Sequence, residues 1–240
     1  MRINQYLAYC LGISRRKAEE PVLNGQVKLN GQVVKDLFTK VEEGDRIEFL
    51  EKGQWKSLAK KSAETILVYK PTFCVSTKSD PQGRRTIYDV LPKKYQHLKN
   101  AGRLDFMSEG LLVLSSNGQL VQELTHPRHN HIKIYLAGLN KPFSSENLKR
   151  INTEKIILDE YELQPVKVEE FNLNSNQEQT KYLKLSEKLY WYRFTLTEGR
   201  NLQIRKLCQM YGTGVTRLIR IQQGKFELTP DLVEQKIIEV

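Results

Sequence analysis

Residues 102–118, GRLDFMSEGLLVLSSNG, join a polar segment to an apolar run that is typical of a buried strand. Arg103 and Asp105 are separated by one residue and come directly ahead of that run. Two explanations fit such a pair. Asp105 is either a turn residue paired with Arg103 or a functional carboxylate at the end of a strand, and only the rest of the chain can decide between them.

Strand-like runs outnumber helical ones around this stretch, and several follow one another directly. This order favours an α+β fold with a mostly antiparallel sheet over a doubly wound parallel sheet. The polar residues 172–180 predict an exposed loop or hairpin tip. The strand candidates are ETILVYKP, GLLVLSS, IKIYLAGL, YWYRFTLT and VTRLIRIQ, and the helix candidates are QLVQELTH, SSENLKRI and NLQIRKLCQMY.

Residues 1–50 have the pattern of a small separate domain. Ser14 can cap a second helix, RRKAEEPVL, in which Pro21 predicts a kink or an early end. Asn30 and Gly31 lie between two alternating runs, which is the strongest short signal for a hairpin.

The next stretch, residues 51–62, is polar with a lysine excess and is interpreted as a linker. A second domain then covers residues 63–240.

The charge of the chain points to a polyanionic partner. Its 240 residues carry a formal net charge of +10. No apolar run approaches the roughly 18 residues of a membrane span, and the first residues lack the pattern of a signal peptide, so we expect no membrane partner. Three scattered cysteines argue against a disulfide framework and favour the cytoplasm.

Positive charge is concentrated in parts of the chain. Residues 62–99 hold seven Lys or Arg against three Asp or Glu, and residues 195–225 hold six against one. Residues 1–50 are nearly balanced, but Arg15, Arg16 and Lys17 cluster at the predicted start of the second helix, where backbone amides can also bind phosphate. Such basic segments on either side of Asp105 favour a cleft that follows a phosphate backbone.

Four segments in this order and spacing resemble the pseudouridine synthases that modify ribosomal RNA. They are KPTFCVST with GRRTIYDVLP, GRLDFMSEGLLVLSSNG, THPRHNHIKIYLAGL, and EGRNLQIRKLCQMYGTGVTRLIRI. The first fifty residues resemble the S-four RNA-binding domain. The resemblance implies an isomerase that converts a specific uridine to pseudouridine without cofactor or metal, acting as a monomer on 23S or, less favoured, 16S ribosomal RNA.

The resemblance also implies roles for particular residues. Asp105 corresponds to the nucleophile, Arg205 of the QIR motif to its cationic partner, and Tyr135 of the K-x-Y segment to the residue that meets the flipped base. Tyr135 alternates with the isoleucines of its strand, which argues against ordinary core packing. The residues expected to bind RNA are Arg103, Arg15, Arg16, Lys17, Lys28, Lys133, Arg200, Asn201, Gln203 and Lys206.

The chain departs from the family pattern at several positions near these residues. A glycine is usual where Phe73 lies, and a polar pair where Phe106 and Met107 lie. Glu109 precedes Gly110. Leu202 and Lys206 take the places of two arginines. These departures bear on RNA contact more than on the chemistry.

Two other functions fit parts of the sequence. A non-catalytic RNA-binding or ribosome-assembly factor could keep the same fold, and an RNA methyltransferase would need S-adenosylmethionine, for which no glycine-rich loop is present. His126, His129 and His131 suggest a metal site, but no fourth ligand is near in sequence, and we expect no metal.

Overall fold

A computed structural model describes residues 1–58 and 63–240 of the chain. The chain divides into two compact units, one formed by Met1–Glu64 with Ser116–Gly118 and the other by Thr65–Ser115 with Gln119–Val240. Within the described residues, every helix lacks either the length or the apolar character needed to cross a bilayer.

The described residues form eight α-helices and fifteen strands. The helices are α1 (Ile3–Leu11), α2 (Arg15–Leu23), α3 (Ile87–Val90), α4 (Gly118–Thr125), α5 (Ser145–Thr153), α6 (Gln177–Tyr182), α7 (Gln203–Met210) and α8 (Pro230–Gln235). The strands are β1 (Val27–Leu29), β2 (Gln32–Val33), β3 (Ile47–Glu51), β4 (Gln54–Ser57), β5 (Thr65–Lys70), β6 (Lys99–Ala101), β7 (Glu109–Ser115), β8 (Lys133–Leu139), β9 (Ile157–Leu158), β10 (Tyr161–Glu162), β11 (Lys167–Glu170), β12 (Tyr190–Leu196), β13 (Val215–Gln223), β14 (Phe226–Glu227) and β15 (Ile237–Glu239).

In the first unit, helices α1 and α2 accompany a sheet of strand order β2-β1-β3-β4. Ser14 caps α2, because its side chain accepts a hydrogen bond from the backbone N–H of Lys17, as predicted. Asn30 and Gly31 both have positive φ and form the predicted hairpin turn between β1 and β2. The helix does not end early at Pro21 but continues to Leu23. A proline so close to the end of α2 removes only one hydrogen-bond donor.

The predicted linker over residues 51–62 is wrong for its first part. Residues 51–57 belong to a hairpin in which β4 pairs antiparallel with β3, and Trp55 lies opposite Leu50. Lys52 and Gly53 have positive φ, so the turn needs no Asn-Gly signal. Because β4 is mostly exposed, its sequence lacks the alternation of apolar and polar residues that predicts a strand. The remainder of the predicted linker, residues 59–62, lies outside the described residues.

The second unit is built on a large mixed sheet. Its strand order is β11-β12-β8-β13-β7-β5-β15, with β14 beside β13 and β6 beside β7. Every strand pairing in this sheet is antiparallel except that of β13 with β7, among the residues that the structure describes. The predicted α+β fold with a mostly antiparallel sheet is therefore confirmed.

Apolar side chains fill both faces of this sheet. Alternate residues of β8 enter different cores: Ala137 and Leu139 belong to one cluster, and Leu136 belongs to another together with Ile219. Both faces of β8 are covered, as is usual for the central strands of a large sheet.

Residues 172–180 differ from the predicted loop in their second half. Helix α6 begins at Gln177, and the chain after it buries Leu183 and Leu185 in a core cluster with Trp191. The polar composition of the stretch hid the helix, because the apolar residues that anchor it follow it in sequence.

Candidate active site

A cavity of about 310 Å³ in the second unit has Asp105 in its wall. Its volume is at the lower end of the range of roughly 300–1,000 Å³ found for small-molecule sites. One side of the cavity is polar and basic, and the other is apolar. Its lining residues are Gly102, Arg103, Leu104, Asp105, Ser108, Tyr135, Leu196, Gly199, Arg200, Asn201, Leu202, Gln203, Ile204 and Leu218.

Buried polar side chains fix the loop that carries Asp105. Ser76 Oγ donates to the carbonyl oxygen of Leu104 and accepts from its N–H, each at 3.0 Å. Asn100 Nδ2 donates to the Gly102 carbonyl at 2.6 Å, and Gln223 Nε2 donates to the Ala101 carbonyl at 2.8 Å. These side chains supply the hydrogen bonds that the loop backbone does not receive from a neighbouring strand. They fix the backbone next to Asp105 to the interior of the unit.

A tight turn follows the loop. The N–H of Ser108 donates to the carbonyl of Asp105 at 3.0 Å, and β7 starts at the next residue. Phe106 and Met107 occupy the middle of this turn, and Met107 is exposed. The apolar run that the sequence shows after Asp105 therefore begins where the turn ends and strand β7 starts.

The carboxyl group of Asp105 is half-buried and lies in a strongly cationic environment. Burial raises its pKa above the ordinary value, and positive charges counter this effect. Arg205 counters it most, followed by Arg103, Lys70 and Arg220. Among the described residues, this carboxylate takes part in no hydrogen bond or ion pair, so its oxygens remain available to a ligand.

Arg205, the expected cationic partner, acts on Asp105 through its charge and makes no hydrogen bond to it. Its guanidinium donates to the carbonyl oxygens of Val215 at 2.9 Å and of Met107 at 3.1 Å. The bond to Met107 ties the start of α7 to the turn that follows Asp105. The side chain is thus engaged by backbone acceptors, and its charge still acts on the carboxyl group.

Tyr135 lines the cavity from strand β8. The prediction that it avoids ordinary core packing was wrong. Its side chain is only 8% exposed and belongs to the core cluster that also contains Leu104 and Ile204. Alternation failed as a guide because both faces of β8 are buried. Within the described residues, its hydroxyl makes no hydrogen bond.

Several of the residues expected to bind RNA surround the same cavity. Arg103, Arg200, Asn201 and Gln203 all line it. Gln203 Nε2 donates to Glu198 at 3.0 Å, and Arg200 Nε donates to the other oxygen of that carboxylate at 3.1 Å. The segment ahead of α7 is therefore organised by Glu198, and the N-terminus of this helix meets the cavity.

Two further expected RNA-binding residues of the second unit lie outside the cavity wall. Lys206 forms an ion pair with Asp159. Lys133 Nζ donates to the carbonyls of His131 and Thr197, and burial lowers its pKa. Both lysines are therefore occupied by protein groups.

The first unit carries the remaining basic residues expected to bind RNA. Arg15, Arg16 and Lys17 are exposed in the first turn of α2. Lys28 Nζ lies 4.1 Å from the centroid of the Trp55 ring, in a cation–π contact. The surface thus offers positive charge beside an aromatic ring.

Two buried cations near Asp105 were missed by the sequence analysis. Lys70 is fully buried and donates to the carbonyls of Pro71 and Ser108, each at 2.7 Å. Burial lowers its pKa to about 8. Arg220 is 1% exposed and donates to the carbonyl of Leu111 at 2.8 Å. Lys70 ends the apolar run ILVY and Arg220 lies between two isoleucines, so a cation next to buried apolar residues was the available signal.

The departures from the family pattern lie around the turn after Asp105. Phe73 and Met107 are exposed, and the ring of Phe106 contacts that of Phe73. Glu109 faces the interior, where it accepts from Arg217 Nε at 2.7 Å and also from the hydroxyl of Tyr69. Glu109 therefore joins the start of β7 to strands β13 and β5 through its hydrogen bonds.

Leu202, at the start of α7, adopts a left-handed backbone with φ of 54°. Such a conformation is uncommon for a non-glycine residue, and it lies here in the cavity wall.

The histidines form a surface group beside the second unit's 3-10 turn Pro127–His129. The ring centroids of His126 and His129 are 6.1 Å apart, and those of His129 and His131 are also 6.1 Å apart. No cluster of three or more His, Cys, Asp or Glu suited to a metal ion occurs in the part of the chain that the structure describes.

Two families match the chain. The RNA pseudouridylate synthase family matches residues 64–210, which span the Asp105 loop, β8 and α7. The S4 domain family matches residues 1–47, in the first unit.

Similar proteins cover nearly the whole chain. An uncharacterized RNA pseudouridine synthase of Helicobacter pylori is 36% identical over 233 residues, covering 93% of this chain and 84% of that protein. Ribosomal large subunit pseudouridine synthase B of Bacillus subtilis is 32% identical over 219 residues, covering 91% of this chain and 84% of its own length.

A solved structure has the same fold. The crystal structure of a pseudouridylate synthase superposes with a TM-score of 0.64 at 24% identity, covering 100% of this chain and 96% of that one. The family match, the relatives and the shared fold agree with the resemblance seen in the sequence. The chain belongs to the RNA pseudouridylate synthase family, whose members are isomerases, and carries an S4 domain at its N-terminal end.

Proposed function

We propose that the protein converts a uridine of ribosomal RNA to pseudouridine and that Asp105 is its nucleophile. The observation that carries this proposal is the position of the Asp105 carboxylate. It is half-buried, free of protein partners among the described residues, and set in the wall of a cavity of about 310 Å³ among four cations.

The four cations keep the nucleophile reactive. A carboxylate attacks only in its ionised form, and burial favours the neutral acid. The charges of Arg205, Arg103, Lys70 and Arg220 favour ionisation. Arg205 and Lys70 donate to backbone carbonyls and make no hydrogen bond to Asp105, so they act on it through charge and leave its oxygens free.

The proposed reaction is an isomerisation. The bond between ribose C1′ and uracil N1 breaks, the detached base turns, and C1′ bonds to C5 of the ring. A proton leaves C5 and a proton is gained at N1, so that the product has the same formula as the substrate. The electron balance calls for neither oxidant nor reductant, and no group is donated from outside.

The cavity suits a single nucleotide taken out of its stack. A base that must turn beside its ribose cannot react within a helix, so the uridine is flipped or already unpaired. The apolar wall of Tyr135, Leu196 and Ile204 offers a surface for the uracil face. The hydroxyl of Tyr135 has no hydrogen-bond partner among the described residues, which supports a role as acid or base toward the base or sugar.

Cationic and amide groups around the cavity can hold the phosphates of the same strand. Arg103, Arg200 and Asn201 line it, and the N-terminus of α7 adds the positive end of a helix dipole. In the first unit, the exposed cluster of Arg15, Arg16 and Lys17 adds contacts that are independent of base sequence.

The favoured substrate is 23S ribosomal RNA, with 16S ribosomal RNA as the alternative. The relative in Bacillus subtilis is named for the large ribosomal subunit, which supports 23S over 16S ribosomal RNA. We propose that the protein acts as a cytoplasmic monomer without cofactor, on free ribosomal RNA or on an assembly intermediate.

Mapping pseudouridines in cellular ribosomal RNA tests the proposal. We expect one or more 23S positions to lose the modification when the gene is deleted. The wild-type gene should restore it and Asp105→Asn should not. If the ribosomal RNA of the deletion strain keeps every pseudouridine, the non-catalytic assembly factor becomes the better explanation.

A further inference from the structure

An exposed apolar rim lies next to Asp105. It consists of Phe73, Phe106 and Met107, which we call the phenylalanine rim. The rings of Phe73 and Phe106 meet edge to face, with centroids 5.7 Å apart and planes at 82°. Phe73 is 59% exposed and Met107 is 43% exposed, so two of the three side chains face solvent. Large apolar groups clustered on a surface mark a binding site more often than isolated ones do.

The rim is fixed to the same turn as the carboxylate. Phe106 and Met107 directly follow Asp105 and form the middle of the turn closed by Ser108. The N–H of Phe73 donates to the carbonyl of Phe106 at 2.8 Å, which attaches the neighbouring loop to this turn. The rim is therefore held at the same turn as Asp105, just outside the set of residues that line the cavity.

The backbone of Phe73 is strained. Its φ of 56° lies in the left-handed region, which glycine occupies at little cost and phenylalanine does not. Because more than half of the Phe73 side chain is exposed, burial in the core does not offset the energetic cost of this backbone conformation. Strain of this kind is found most often at functional sites, where the side chain has another use.

Arginines lie near the rim. The guanidinium of Arg84 lies 5.9 Å from the centroid of the Phe106 ring and also pairs with Asp80, while the neighbouring Arg85 is exposed. Arg103 is exposed on the cavity side. Aromatic faces among cations fit a nucleotide, whose base can stack while its phosphate meets the arginines. An apolar protein segment or a lipid chain would bring no anion to these groups.

We propose that the phenylalanine rim stacks an unpaired base of the RNA strand that adjoins the nucleotide bound at Asp105. This inference rests on the proposed function and extends it to the neighbouring nucleotide. Stacking on a ring face accepts any base, so the rim contributes affinity and positions the strand while leaving base identity to other contacts. The polar pair usual in the family at the positions of Phe106 and Met107 could not supply such a platform.

The test uses full-length protein and in-vitro transcripts of 23S and 16S ribosomal RNA. Phe73→Gly and Phe106→Leu each remove a ring. Tyr190→Leu removes an exposed ring at the far end of β12, six residues from the cavity residue Leu196. We measure the dissociation constant, the rate at saturating RNA, and the residues cross-linked to RNA by ultraviolet light.

The expected result separates the rim from the chemistry. Phe73→Gly and Phe106→Leu should weaken binding by about tenfold, as loss of one stacked base predicts, with the saturated rate nearly unchanged. Wild type should cross-link through Phe73 or Phe106, and Tyr190→Leu should behave as wild type. Phe73→Gly should leave the thermal midpoint equal or higher, because glycine accepts φ of 56°, which rules out unfolding as the cause.

Failure of the rim and failure of the proposed function give different results. If isomerisation proceeds while both variants bind as wild type and no cross-link falls on the rim, the rim proposal is overturned and the proposed function stands. If Asp105→Asn cross-links through the rim and wild type makes no pseudouridine, the rim stands and the proposed function falls. Binding to neither transcript, or cross-linking of the rim to a protein only, overturns the rim.

Discussion

Gly110 lies against the backbone of Arg220 so closely that a Cβ atom on Gly110 would be 2.4 Å from the carbonyl oxygen of Arg220. The two residues are partners in the parallel pairing of β7 with β13. This approach brings together the strand that follows Asp105 and the strand that carries the buried Arg220 guanidinium. The backbone contact acts together with charged side chains across the same two strands, because Arg220 donates to the Leu111 carbonyl and Arg217 pairs with Glu109.

Gly110→Ala should destabilise the protein by about 2–4 kcal/mol, because the methyl group meets backbone and φ is 105°. Urea unfolding measures the effect. Gly118→Ala is the control, since no heavy atom lies within 4 Å of its Cβ position, and it should stay within about 1 kcal/mol. Equal stability of the two variants would contradict the close approach.

Asp105→Asn should lower kcat/KM by roughly three orders of magnitude or more, since it removes the proposed nucleophile. It should not destabilise the protein at pH 7. Burial raises the folded-state pKa of Asp105, so its contribution to stability is full below pH 3.8 and declines as the pH rises through that pKa. When the free energy of unfolding of both proteins is measured from pH 4 to pH 8, the variant should become increasingly more stable than wild type as the pH rises. A variant less stable at pH 7 would show that the cations outweigh burial.

Lys70→Met should make activity more sensitive to acid. The charge of Lys70 favours the ionised form of Asp105, so its loss raises the pKa of that carboxyl group further. The acid limb of kcat/KM against pH should move to higher pH, and the variant should lose more activity at pH 5 than at pH 7. Lys99→Met, at an exposed position of β6, should leave the profile unchanged. Identical acid limbs in all three proteins would remove Lys70 from the electrostatics of the site.

Arg205→Lys should not replace the guanidinium, although the charge is kept. Two nitrogens of Arg205 reach two different carbonyls, and one ammonium group cannot span both. We expect a loss of about 1–3 kcal/mol in the free energy of unfolding and a fall of roughly a hundredfold in kcat/KM. Arg150→Lys, whose exposed arginine pairs with Glu154, should change stability by under about 0.5 kcal/mol. A fully active Arg205→Lys enzyme would mean that charge alone suffices.

Tyr135→Phe distinguishes the ring from its hydroxyl. The hydroxyl has no hydrogen-bond partner among the described residues, so stability should change by less than about 0.5 kcal/mol. If the hydroxyl transfers a proton, kcat should fall by roughly 10² or more while KM stays near that of wild type. Tyr135→Leu should raise KM as well, because the stacking face is lost. Wild-type kinetics in Tyr135→Phe would leave only the ring with a role.

Features governed by neighbouring residues in the sequence were predictable. The capped start of α2 at Ser14 and the hairpin turn at Asn30 and Gly31 depend on local hydrogen bonds and backbone preferences, and both were confirmed. Strands whose apolar residues alternate or run together were also found, as in β5 and β8. The exposed strand β4 and helix α6 escaped prediction, because the groups that stabilise them come from elsewhere in the chain.

The candidate site was predictable only in its list of residues. Asp105, Tyr135 and Arg205 were identified from motifs, and the structure brings the first two into one cavity with Arg205 beside it. The direction of the Arg205 hydrogen bonds, the burial of Tyr135 and the two buried cations Lys70 and Arg220 did not follow from any motif. Each depends on which strands become neighbours, and the spacing of residues along the chain does not encode that.

The sequence by itself determined the fold class, the two domain types and the family. Apolar periodicity, turn residues and the four motifs depend only on the order of residues along the chain. Tertiary structure alone decided the environment of Asp105. The parallel contact of β7 with β13, permitted by Gly110, places buried charge beside a half-buried carboxyl group. Electrostatic energy depends on distance and burial in space, and those are fixed only when remote segments pack together.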